Sequence, residues 1–100
     1  MRLSPRQIAL IKQAVHDLVG AEADLRLFGS RTNDDARGGD IDLWVSSPVA
    51  LANRVWLGAQ LTARLQMVLG DQRIDVRLVD PATTLTAIDA VAQQQGIQLT

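Results

Sequence analysis

Apolar residues at Ile8, Ile11, Val15 and Leu18 recur with the spacing of one helical face. Ser4-Pro5-Arg6-Gln7 opens that helix: the Ser caps, the Pro fits the first helical position, and the Gln completes a capping box. Gly20 stops it. Leu25 to Phe28 predicts a short strand. Gly29-Ser30-Arg31 turns the chain and opens a second short helix, and 32–39 is a polar loop with Asn, Asp and Gly. Asp40 to Val45 alternates as a second strand. Pro48 starts a long helix ending near Gly70, with Leu51, Val55, Leu61, Leu65 and Val68 on its apolar side. Arg73 to Val79 is a third strand, with Ile74, Val76 and Leu78 on one face and Arg73, Asp75 and Arg77 on the other. Asp80-Pro81 breaks it. A last helix runs from about Thr83 to Gln95, burying Leu85, Ile88 and Ala92, with Gly96 at its stop. The order α-β-α-β-α-β-α predicts an α+β fold: a small sheet covered by helices mainly on one face, its polar face left open.

Composition narrows the function more than the fold. The 100 residues suit one domain spanning 1–100, and 47% hydrophobic with 21% charged residues argues against disorder. A net charge of −1 does not recommend nucleic acid or an acidic membrane surface. Without cysteine there is no disulfide, no thiolate-ligated zinc and no thiol catalysis, which fits a reducing cytoplasm. No signal peptide is visible, and no apolar run is long enough to span a membrane.

The chemistry concentrates where the strands carry acids. Asp is poorly suited to a strand, yet Asp40 and Asp42 alternate with Ile41 and Leu43. Residues two apart share a face, so both carboxylates point away from the core. Asp75 sits on the polar face of the third strand. If the second and third strands are neighbours, three carboxylates converge and repel unless cations neutralise them. Oxygen ligands without His or Cys select Mg²⁺ or Mn²⁺, and two such ions form the clamp used for displacement at phosphorus. Gly29 lets the backbone approach a ligand closely, Ser30 offers a hydroxyl and a backbone N–H, and Arg31 can add a bidentate contact. A metal-bound nucleoside triphosphate would satisfy both halves.

Gly29-Ser30, Asp40-Ile41-Asp42 and Asp75, with Leu27-Phe28, Leu43-Trp44-Val45 and Ile74/Val76 as flanks, resemble the signature of the DNA polymerase beta-type nucleotidyltransferases. The short length and the ending Gly96-Ile97-Gln98-Leu99 resemble the minimal nucleotidyltransferases (MNT proteins), many of them antitoxins paired with a HEPN-domain toxin. The resemblance covers nearly the whole chain. Nine residues separate Ser30 from Asp40, where the commonest form of the motif has ten. The resemblance implies the nucleotidyltransferase fold, with a small mixed β-sheet. It implies that Asp40 and Asp42 bind two Mg²⁺, Asp42 as the bridge. Asp75 would bind the catalytic ion and help deprotonate the attacking hydroxyl. Gly29 and Ser30 would hold the triphosphate, helped by Arg31. The implied reaction transfers NMP to a hydroxyl and releases pyrophosphate; for MNT antitoxins, it transfers AMP from ATP to a tyrosine of the toxin. Two other functions stay open: a binding module that neutralises a partner by complex formation alone, and a small-molecule nucleotidyltransferase acting as a homodimer.

Asp34 and Asp35 read as loop solvation, and His16 as a surface or partly buried side chain. Arg77 offers a phosphate contact or a salt bridge in the acidic patch. Trp44 could stack on a base or pack under a helix. Trp56 and Leu57 exceed one helical face and could meet a partner.

Overall fold

The structure, a computed structural model, describes residues 3–28, 41–70 and 73–99. The expected short second helix, the polar loop 32–39, and Gly29, Ser30, Arg31, Asp34, Asp35 and Asp40 lie outside the described residues. Helix α1 (Pro5–Leu18) begins at the expected capping box: Ser4 Oγ accepts from the Gln7 N–H, and Gln7 Oε1 accepts from the Ser4 N–H. Strand β1 (Asp24–Phe28) runs antiparallel to β2 (Ile41–Ser46). Helix α2 (Arg54–Leu69) carries the chain over to β3 (Ile74–Val79), which pairs parallel to β2. Helix α3 (Ala87–Gln95) leads into β4 (Ile97–Gln98), antiparallel to β1. The mixed sheet has the order β3-β2-β1-β4.

The alternation in β2 and β3 sorts as the sequence predicts. Leu25, Leu27, Ile41, Leu43, Val45, Ile74 and Leu78 form one face and pack on Ile11, Ala14 and Val15 of α1 and on Leu61 and Leu65 of α2. Fully burying each Leu or Ile contributes about 1.5–3 kcal/mol, so this layer dominates the driving force. Arg64 Nη2 also bonds Asp17 Oδ2 at 2.7 Å, tying α2 to the end of α1.

Four expectations need correction. Helix α2 starts at Arg54, not at Pro48. The segment before it is pinned as a loop, because Asp80 Oδ2 accepts the Leu51 N–H and Ser47 Oγ bonds both the N–H and the C=O of Val49. As a result Val55 and Val68 are exposed, while Leu57 packs against the core. Helix α3 starts at Ala87, capped by Thr86, and turns Asp89 and Ala92 inward while Leu85 and Ile88 stay exposed. The polar face is therefore open only in part: α3 covers Trp44 and Val79, with Phe28 packed alongside, while Asp75 stays exposed. Finally, β4 is an added strand. Gly96, which precedes it, has φ −68° and so is not needed for a left-handed stop. It is needed for space: a Cβ there would collide with the Ala92 carbonyl oxygen and crowd the Arg26 side chain.

Candidate active site

The pairing of the strands arranges the second face in rows. Phe28, Asp42 and Asp75 are Cα partners across β1, β2 and β3; Arg26, Trp44 and Arg77 form the next row. Neighbouring strands lie about 4.8 Å apart, so Asp42 and Asp75 stand side by side on one face. The sequence predicts three carboxylates converging here; Asp42 and Asp75 are the two within the described residues, and their juxtaposition depends on the parallel register of β2 and β3. Asp75 is open to solvent, its side chain 53% exposed, with Arg73 Nε 3.7 Å from its Oδ2. Asp42 is half-buried. Asp40 precedes Ile41 in the chain, and Gly29-Ser30 follow Phe28, the neighbour of Asp42. Those residues are not described, and among the described residues no group of three or more potential ligands forms. The donor set of Asp42 and Asp75, carboxylate oxygens only, fits a hard divalent cation such as Mg²⁺.

Behind this pair lies a network the sequence reading missed. Asp89, 1% exposed, accepts from Trp44 Nε1 at 2.9 Å, from Arg77 Nε at 3.1 Å and from Arg77 Nη2 at 3.0 Å. It also accepts from the Thr86 N–H at 2.7 Å, closing the α3 capping box. Arg77 donates further to the Thr84 carbonyl. Arg77 is thus held in an ion pair, with Asp89 rather than with Asp75. Trp44 packs beneath α3, 2% exposed, with the Arg26 guanidinium 6.0 Å from its ring centroid. Arg26 bridges to Asp24 and to the Gln93 carbonyl. These two arginines fasten α3 to the sheet one row away from the carboxylates. Thr86-Ala87-Ile88-Asp89 is itself a capping-box pattern, the signal by which Asp89 could have been found.

The Arg77 guanidinium, then the Thr86 N–H and the Trp44 indole, hold the Asp89 carboxyl well below the usual carboxylate range against the opposing effect of burial. A depressed folded value stabilises the fold above the unfolded value, near 3.8, and the gain is lost as the pH falls through the folded value. The urea midpoint is therefore expected to fall on acidification below about pH 4, and to fall less in Asp89→Asn. Equal acid sensitivity in both proteins would refute this assignment.

No protein-family model matches the chain, and no curated protein matches it in sequence. Solved structures do match. A mutant of the toxin–antitoxin MntA–HpeT is 26% identical with a TM-score of 0.68, covering 98% of this chain and 73% of its own. A tri-AMPylated Shewanella oneidensis HEPN toxin in complex with its MNT antitoxin gives 27% identity and a TM-score of 0.67, over 95% of this chain and 70% of the other. A nucleotidyltransferase-fold protein from Sulfolobus solfataricus, at 18% identity and a TM-score of 0.54 over 93% of this chain and 78% of its own, shows the fold alone. The chain is similar to the MNT nucleotidyltransferases over nearly its whole length.

Proposed function

We propose that this protein is a metal-dependent nucleotidyltransferase that moves AMP from ATP to a hydroxyl of a partner protein, and that it serves as the antitoxin of a HEPN-type toxin. The observation that carries the reading is the in-register Asp42–Asp75 pair on the exposed end of the polar face. The likeness to the MNT antitoxin solved with a tri-AMPylated toxin supports the acceptor class. Asp40, Asp42 and Asp75 would hold the Mg²⁺ ions. Bound Mg²⁺ would supply charge neutralisation on the triphosphate. Gly29 and Ser30 would hold the phosphates, with Arg31 beside them. Asp75 would accept the proton as the acceptor oxygen attacks the α-phosphorus and pyrophosphate leaves. The chain has no tyrosine, so a tyrosine acceptor must lie on another molecule.

The test is incubation with ATP labelled at the α-phosphorus, Mg²⁺ and a HEPN-type partner. Label is expected on the partner, and none without divalent cation. Transfer that persists in a chelator would overturn the reading.

A second reading, neutralisation by binding alone, is favoured by the apolar exposure of α2, where Val55 is 77% and Trp56 65% exposed. Under that reading Asp40→Asn combined with Asp42→Asn would still protect cells in full.

A further inference from the structure

The strand that carries Asp75 is also the edge of the sheet, and among the described residues no element pairs with its outer side. Arg73 C=O accepts from Ile41 N–H and Val79 C=O from Ser47 N–H, so the odd-numbered residues of this segment address β2. By the alternation of a strand, the N–H and C=O groups of Ile74, Val76 and Leu78 point outward. The Leu78 carbonyl does so visibly: it accepts from Arg54 Nη1 at 2.9 Å. An unpaired edge of this kind is a template for another strand. Beside it runs an open groove of about 260 Å³, floored by Val76 and Leu78 and walled by Gly58, Ala59 and Thr62 of α2. Those small side chains leave room for a neighbouring element to lie close.

We infer that the occupant of this edge is β3 of a second copy, paired antiparallel about Val76. The argument is charge and register together. Outward groups must face outward groups, which leaves pairings centred on residues 75, 76 or 77. Centring on Asp75 sets Asp75 against its twin and Arg73 against Arg77 of the other copy. Centring on Arg77 sets Arg77 against its own twin. Only centring on Val76 puts Asp75 opposite Arg77 of the second copy, twice over by symmetry. In that register Ile74 meets Leu78 of the other copy, whose carbonyl can still accept a second hydrogen bond while keeping Arg54. The small flank of α2 then meets its counterpart across the dyad. The second copy's Arg77, already fixed by its own Asp89, brings a cation beside Asp75. The contact stands on the edge geometry; its bearing on chemistry rests on the metal-site reading of Asp75.

The chain has no cysteine, so Val76→Cys introduces a single thiol at the dyad. Paired residues there lie about 5.5 Å apart between Cα atoms, within the range a disulfide spans. Mild oxidation is expected to yield a covalent dimer from Val76→Cys and only background from Met67→Cys, an exposed site on α2. Sedimentation of the unmodified chain is expected to give the dimer mass. Ala59→Arg, a substitution at an exposed helical position in the groove, should reduce it to a monomer that still unfolds cooperatively in urea, with a midpoint that no longer rises with protein concentration. A monomeric unmodified chain at every concentration, or cross-linking indifferent to Ala59→Arg, would overturn the inference, including in favour of a partner protein at this edge. Neither readout needs nucleotide transfer, so a dimer without transfer activity would refute the enzymatic reading and leave the contact intact.

Discussion

Asp42→Asn is expected to lower nucleotidyl transfer by about a thousandfold, the loss of several kcal/mol of transition-state stabilisation that a misplaced metal clamp implies. Asn keeps the shape of Asp but removes the charge that a hard cation needs. Asp42 is half-buried at the second position of β2, its neighbours Ile41 and Leu43 buried behind it, so the substitution should leave the fold intact. Asp75→Asn should behave alike, because its Cα is the register partner of Asp42 on the adjacent strand. The two effects should not add: once either ligand is gone, the second substitution has little left to remove. Label transfer to the partner and a thermal melt with and without Mg²⁺ measure this together. Mg²⁺ should raise the melting temperature of the unmodified chain and not of the variants. Full transfer by Asp42→Asn would refute the metal site.

The largest effect on stability is expected at Asp89, a residue outside the candidate chemistry. Asp89→Ala strands the Arg77 guanidinium beneath α3, leaves the Trp44 indole N–H without its acceptor and opens the α3 capping box. Removing one partner of a buried ion pair costs about 3–5 kcal/mol. Small domains have only about 5–15 kcal/mol in total, so the variant should be barely folded. Urea denaturation checks this, and a loss below about 1 kcal/mol would be inconsistent with a buried pair. Replacing both partners, Arg77→Met with Asp89→Leu, should recover much of the loss, since no charge is then left unmatched.

These two residues show what could be read from the chain. The Asp42–Asp75 pairing followed from period-two alternation, a local signal, plus one assumption about neighbouring strands. The Ser4–Gln7 box was also local and correctly placed. The start of α2 was not local: it depends on Asp80, 29 residues from the Leu51 N–H that it accepts. Asp89 escaped for a similar reason. A charged residue on a helix reads as solvent-facing, and its burial depends on Arg77 and Trp44 from two strands of the sheet. With Asp89 turned inward, the helix rotates and Ile88 moves out, reversing the expected face. Strand β4 has only two residues, too few for any periodicity. Gly29, Ser30 and Arg31, the proposed seat for phosphate, are read from the sequence pattern.

The attachment of α3 and β4 to β1 has a kinetic side. The hydrogen bond from Arg26 to the Gln93 carbonyl spans 67 residues. The cost of closing a loop grows with its length, so α3 is expected to meet β3 first, through Arg77 and Asp89 only 12 residues apart, and to reach β1 later. Helix α3 covers only the small cluster of Trp44, Val79 and Ala92, whereas Ile97 and Leu99 after it pack on the main core. The Asp42–Asp75 register is set by β2 and β3 alone, and the C-terminal helix fastens that sheet from one row away, as a clasp.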